Sequence, residues 1–238
     1  MKSKPELSII IPCYNEGKNI PLLLNRCSEF MEKRNMELVI VDNGSSDGTL
    51  EVLEKSRKKY PYLNPVRVEI NQGYGFGILS GLRHAEGEYL CWTHADMQTD
   101  PADALRALEI LDSLPQESKN KVFIKGKRYG RPITDVFFTM GMSFFEIILL
   151  RKILWDINAQ PNFFHRSFFE SWINPPLDFS LDLFVYFQAK KNKLKVIRFP
   201  VFFGERIHGI SNWNVDWKSK IKFIKRTLDF SFRLRKEL

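Results

Sequence analysis

The chain has 238 residues, is 44% hydrophobic and 27% charged, and carries 36 Lys and Arg against 28 Asp and Glu, a net charge of +8. That balance excludes a mainly disordered chain, and the length suits one compact domain with at most a small appendage. The basic surplus invites a nucleic-acid reading, but no helix-turn-helix, zinc or RNA-binding signature accompanies it.

Leu7–Ile11 reads as a buried strand that Pro12 ends. It is too short for the apolar region of a secretory signal. Asn19–Arg34 has helical spacing, with Leu22, Leu23, Cys27 and Phe30 on one face. Leu38–Val41 is a second buried strand, and the following Asn-Gly-Ser-Ser-Asp-Gly-Thr is a turn able to cap a helix over Leu50–Lys59. Val66–Ile70 is a third strand. A glycine loop, Asn71–Gly77, leads into a helix to about Ala85, and Glu88–Trp92 is a fourth strand. Pro101 suits the first turn of the next helix. Val122–Arg128 reads as a strand with its exit loop, Thr134–Leu154 as a helix and Asp156–Pro161 as a loop. Leu177–Lys191 reads as a helix, and Leu194–Phe203 as a strand interrupted by Pro200. The most apolar segment, Val136–Leu150, is shorter than the ~20 residues a spanning helix needs, so the expectation is a soluble or surface-attached chain. Cys13, Cys27 and Cys91 have no paired spacing and suit a reducing compartment.

Continuous apolar strands separated by helices predict an α/β fold, a mainly parallel sheet with helices on both faces. Ligands of such sheets bind at the carboxyl ends of the strands. Four polar loops fall there: 12–16, 42–47, 71–77 and 94–98. His94, Asp96 and Gln98 alternate along an extended segment, so their side chains share a side. A carboxylate and an amide oxygen suit Mg²⁺ or Mn²⁺, and the imidazole tilts the choice to Mn²⁺; the same residues could equally form a polar turn before the next helix. Asp42 at a strand end could accept hydrogen bonds from a base or ribose, or could belong to a capped turn. Gly73-Tyr-Gly-Phe-Gly77 is neither a dinucleotide fingerprint nor a P-loop. Its glycines permit close backbone approach to a ligand or a tight turn.

Several motifs occur together in order: Ile11-Pro-Cys-Tyr-Asn-Glu16, Val41-Asp-Asn-Gly-Ser-Ser-Asp-Gly-Thr49, Asn71-x-Gly-x-Gly75, Ala95-Asp-Met-Gln98, Gly126-Lys-Arg128-Tyr and Arg206-x-x-Gly-x-Ser211. This set resembles the family 2 glycosyltransferases of GT-A fold, and within them the dolichyl- and polyprenyl-phosphate mannosyltransferase type with its bacterial relatives. The resemblance spans residues 7–215. It implies that Pro12, Tyr14 and Glu16 border the nucleotide base and that Asp42 contacts base or ribose. Gly73 and Ala95 would join the nucleotide-sugar contacts. Asp96 would bind the divalent metal, Mn²⁺ or Mg²⁺, that bridges the donor diphosphate, with Gln98 and His94 completing the set. Arg128 would reach a phosphate. Arg206, His208 and Ser211 would lie in a loop closing over donor or acceptor phosphate. Two positions depart from the family: Asn43 replaces a second Asp, and His94 replaces the first Asp of Asp-x-Asp. Asp156–Pro161 replaces the segment expected to face the acceptor.

The implied reaction is inverting transfer from a GDP- or UDP-sugar to a lipid phosphate, or to a saccharide hydroxyl. A phosphate acceptor is already anionic and needs positioning by cations such as Arg206. A hydroxyl acceptor needs a base, for which Asp182, and less so Asp178, is the candidate; an Asp in a helix's first turn is also favoured by the macrodipole.

The charge is uneven. Residues 218–238 hold eight basic and two acidic side chains, +6, leaving +2 for the rest. At ~100° per residue, Lys218, Lys222, Lys225, Arg226, Arg233 and Lys236 share one side of a helix. The expected organisation is a GT-A domain over 1–215 and a basic amphipathic helix over 216–238. That helix is either packed with a solvated stripe or resting on an anionic membrane surface. The expected location is cytoplasmic, or peripheral on the cytoplasmic membrane face.

Overall fold

The computed structural model describes residues 3–206 and 217–236, with side chains throughout except at Phe138 and 217–224. Seven strands form one sheet: β1 (Leu7–Cys13), β2 (Met36–Asn43), β3 (Leu63–Val68), β4 (Tyr89–Trp92), β5 (Val122–Tyr129), β6 (Asn162–His165) and β7 (Lys195–Phe202), in the order β3-β2-β1-β4-β6-β5-β7. The helices are α1 (Ile20–Ser28), α2 (Thr49–Ser56), α3 (Tyr74–His84), α4 (Asp103–Asp112), α5 (Ile133–Leu150), α6 (Arg166–Glu170), α7 (Leu181–Lys191) and α8 (Trp217–Arg235).

Side chains alternate across a strand, so each buried strand feeds two cores. From β1, Leu7, Ile9 and Ile11 pack with α1 and α4, whereas Ile10 packs with α3 on the other face. That second core also takes in Leu149 and Leu150 of α5, most of α7, and Phe230 and Leu234 of α8. Full burial of each such side chain is worth roughly 1.5–3 kcal/mol. Cys13, Cys27 and Cys91 are free and buried, as expected.

The expected sheet is present with one difference. β6 is antiparallel to both β4 and β5, with Trp92 opposite Asn162. It is only four residues long, too short to declare a period. Its reversal brings the amino end of β6 against the carboxyl end of β4. Four helix boundaries also differ, α2 ending at Ser56 instead of Lys59. The first helix stops at Ser28 and a short 3-10 turn covers Met31–Lys33. α5 ends at Leu150 because Arg151 adopts a left-handed conformation, φ 50°. Residues 177–180 form a turn rather than the start of a helix, since Asp178 Oδ1 accepts from the Ser180 amide at 2.9 Å. Pro200 stays within β7, which lies at the sheet edge where a missing donor is tolerated.

α5 and α8 lie together on one side. Ser231 Oγ donates to the buried Glu146 at 2.6 Å across their seam. By length and hydropathy α5 could cross a membrane, with 24% of it buried inside the protein. Its outer face is an unbroken apolar row: Ile133, Phe137, Phe144 and Ile148 are 64–71% exposed, with Met140 between them. Lys225, Arg233 and Arg235 of α8, the helix that packs on α5, are exposed, as is Lys236 just after it. The expected domain boundary at 215/216 lies outside the described residues.

Candidate active site

A cavity of about 420 Å³ opens where the carboxyl ends of the strands meet the amino end of β6. The β1–α1 loop forms one side. Asn15 adopts φ 57°, and the loop is stitched to the β2–α2 turn. The Asn15 amide donates to Ser45 Oγ at 2.9 Å, the Ser46 amide to Asn15 Oδ1 at 2.9 Å, the Glu16 amide to Thr49 Oγ1 at 3.1 Å and the Gly17 amide to Asp47 Oδ2 at 3.1 Å. The polar turn therefore holds the neighbouring loop open and does more than cap a helix. Pro12, Tyr14 and Glu16 line the cavity from this loop. Burial raises the Glu16 carboxyl above its ordinary range.

Asp42 sits beneath this wall and does not line the cavity. It is fully buried, paired with Arg67, and accepts from the Ser45 amide at 2.9 Å. Asn43 reaches the cavity instead, its amide donating to the Gly73 carbonyl at 2.9 Å. Gly73 lines the cavity too, but a Cβ there would meet Leu177 O at 2.8 Å, and one on Gly75 would meet the 176–178 backbone at 2.7 Å. The glycine loop is thus shaped by the turn before α7.

His94, Ala95, Asp96 and Gln98 all line the cavity after β4. Burial lowers the His94 pKa, favouring the neutral imidazole. Asp96 Oδ2 is 2.7 Å from Arg206 Nη2, and Arg206 Nη1 is 3.9 Å from Glu16. Gln98 Nε2 donates to the Gly204 carbonyl at 3.1 Å, which assigns the amide and leaves Oε1 as its acceptor end. A neutral imidazole, a carboxylate and an amide oxygen fit Mn²⁺ better than Mg²⁺. No three His, Cys, Asp or Glu cluster for a metal among the described residues, so an ion here would need further oxygens from a ligand.

The opposite wall is basic. Asp156, φ 50°, is buried and takes three hydrogen bonds from Arg128: backbone N at 3.0 Å, Nε at 2.9 Å and Nη2 at 2.5 Å. Arg131 Nη2 lies 3.6 Å away and Arg198 Nη2 3.7 Å. Burial would push the Asp156 carboxyl up, but Arg128 and Arg131 hold it below its ordinary range. One carboxylate thus faces three guanidiniums, and two of these, Arg128 and Arg131, line the cavity. Arg131 Nε is buried without a partner. Asp135 and Thr139 of α5 continue this wall, as does Asn158 from the loop after Asp156.

The floor is formed by Tyr74, stacked on Phe179 at 4.7 Å, and by Asp182. Asp178 lies apart, 3.4 Å from Arg226 of α8. His84 bonds to the Ser80 carbonyl, His165 bonds to Ser167 and lies 3.8 Å from Glu88, and neither lines the cavity. His208 and Ser211 lie outside the described residues. Sequence reasoning passed over Arg131, Tyr74 and Asn158; for Arg131 the available signal was a second arginine three positions after Arg128.

Glycosyl transferase family 2 matches residues 8–172. The chain belongs to that family. A dolichol-phosphate mannosyltransferase of Pyrococcus furiosus is 26% identical over 97% of this family 2 chain and 64% of its own length. A dolichyl-phosphate beta-glucosyltransferase of Trichomonas vaginalis is 31% identical over 51% of the chain and 40% of its own. The chain therefore spans less than two thirds of these relatives. Among solved structures, a mannosyltransferase of Pyrobaculum calidifontis in complex with GDP-Man and Mn²⁺ superposes with TM-score 0.70 at 20% identity, covering 98% of this chain and 65% of that one. The fold is GT-A, as the sequence motifs implied.

Proposed function

We propose that this family 2 domain transfers a sugar, with inversion, from a nucleoside-diphosphate sugar to a polyprenyl phosphate. The observation that carries the reading is the cavity's two-sided chemistry. An acidic and imidazole-bearing side formed by Glu16, His94 and Asp96 faces a wall that presents the Arg128 and Arg131 guanidiniums, with Asp156 buried behind them and Asp135 at the α5 end. The first side suits the donor and the second a phosphate acceptor. The two relatives above differ in sugar but share a lipid-phosphate name, which supports the acceptor class more than any one sugar.

Pro12, Tyr14 and Glu16 would border the base, with Asn43 nearer to it than Asp42. Asp96, His94 and Gln98 Oε1 would hold a divalent ion, which would neutralise charge on the leaving diphosphate. Arg206 would exchange Asp96 for donor phosphate, and Arg128 with Arg131 would orient the acceptor. The attacking phosphate oxygen needs no general base. The outward apolar row of α5, beside basic α8, supports seating on an anionic membrane surface: the helix that presents this row also supplies Asp135 and Thr139 to the cavity.

The test is incubation with labelled GDP- and UDP-sugars, polyprenyl phosphate and Mn²⁺. Lipid-linked product is expected; neither transfer nor donor hydrolysis across the panel would refute the reading. A second reading, transfer to a saccharide hydroxyl, is favoured by Asp182, whose carboxyl burial pushes up toward the range of a general base. Under that reading Asp182→Asn abolishes turnover for the saccharide acceptor.

A further inference from the structure

Strand β5 begins Val122, Phe123, Ile124, all buried core, and continues with Lys125, whose exposure is 0%. Any apolar side chain of similar volume would fill this position without desolvating an ammonium. The lysine is instead one end of a buried polar chain. Its Nζ donates to the Ala159 carbonyl and to Asn162 Oδ1, both at 2.6 Å. The Asn162 amide donates to Asp182 Oδ1 at 3.0 Å and to Gln160 Oε1 at 2.8 Å. Gln160 Nε2 donates to the same Asp182 oxygen at 3.0 Å and to the Tyr74 hydroxyl at 2.9 Å. Both amides are therefore fixed by partners at each end.

Asp182, 3% exposed, is the member of this chain that lines the cavity as a carboxylate, whereas Lys125 lies behind it. Burial pulls the lysine down to about 7 and pushes the aspartic acid up, and the attraction between the two opposes both effects. His94 and Tyr74 face Asp182 from the cavity side, while Arg198, Asp156 and Arg128 surround Lys125.

We propose that Lys125 is a positioning residue of the donor site: through Asn162 and Gln160 it holds the Asp182 carboxylate oriented at the cavity floor, where that carboxylate accepts hydrogen bonds from hydroxyls of the donor sugar. This rests on the sugar-nucleotide reading above. A lysine serving only to tie the 156–161 loop to β5 would affect stability and leave ligand discrimination alone.

The experiment is calorimetric titration of the full chain with GDP-mannose and UDP-glucose, each beside its sugar-free counterpart GDP or UDP, in Mn²⁺. For whichever nucleotide the wild type binds, Lys125→Met should weaken the sugar conjugate about tenfold, as expected when a hydrogen bond to a charged group is lost, and leave the sugar-free nucleotide within about twofold. Asn162→Leu cuts the link while keeping the lysine, and carries the same expectation should Lys125→Met fail to fold. Equal weakening of both ligands, or of neither, in folded variants would overturn the role of Lys125 and leave the donor reading standing. Wild-type protein that binds neither nucleotide nor conjugate would instead remove the donor reading, and this inference with it.

Discussion

The two walls of the cavity are built in different ways. The wall from β1, β2 and β4 is made by contiguous residues whose turns bond to one another, as Asn15 does to Ser45 and Ser46. Its chemistry is presented by short segments directly at strand ends. The wall from β5, β6 and α5 depends on ions buried together, as Arg128 and Asp156 are. A wall of turns bonded largely through backbone amides can keep its shape while single side chains change. A wall of buried charges loses both shape and charge balance when one partner goes.

The largest expected effect tests the first wall. Asp96→Asn keeps the volume and removes the carboxylate, and kcat/KM should fall by about a thousandfold, at the upper end for loss of one electrostatic contact in a reacting site. Near wild-type turnover would break the assignment of this wall to the donor. Arg131→Gln tests the second wall: the acceptor KM should rise roughly tenfold or more while donor affinity holds, measured by steady-state kinetics with each substrate varied. A change in donor affinity alone would reverse the assignment.

The third prediction concerns the support beneath the first wall. Arg67→Met leaves Asp42 buried without its partner and should cost about 2–3 kcal/mol in urea unfolding, somewhat less than for a fully buried pair because Arg67 is partly exposed. Donor binding should change little, since Asp42 does not reach the cavity.

The smallest effect lies behind α5. Burial raises Glu146 to about 7 from the model-compound value of 4.5. The folded state therefore keeps a proton that the unfolded chain releases, so stability falls as pH rises from about 4.5 to 7 and is level above that. Glu146→Gln should remove that fall and stabilise the protein at pH 8 by on the order of 3 kcal/mol or less, seen as a gain in melting temperature that is absent near pH 4, grows through pH 6 and is full above pH 7. Transfer activity at pH 6 should be unaltered, as Glu146 does not touch the cavity.

The same contrast explains how much was legible in the sequence. The first wall could be read because its motifs carry turn chemistry at fixed offsets, and Pro12, Tyr14, Glu16, His94, Asp96 and Gln98 do converge. The motifs imply a base or ribose contact for Asp42 and Asn43 lines the cavity instead, because which of two neighbouring strand residues points into a cavity depends on the pleat of the folded sheet. The second wall was legible at Arg128 and, without assigned roles, in the 156–161 segment. Asp156 lies 28 positions away, and nothing local in either segment reports their pairing. β6 has four residues, and the buried Lys125 sits in a run that reads as an ordinary strand.

Arg206 bridges two segments of the first wall, the β1–α1 loop and the turn after β4, and this bears on the order of events under the proposed reading. Its guanidinium already occupies an oxygen of Asp96 and leans toward Glu16. A divalent ion arriving alone would meet a carboxylate already neutralised. An ion arriving with a diphosphate offers the arginine a replacement partner at the moment Asp96 is released. On the proposed reading, ion and nucleotide would enter as one event, and after the diphosphate left the arginine would return to its carboxylate.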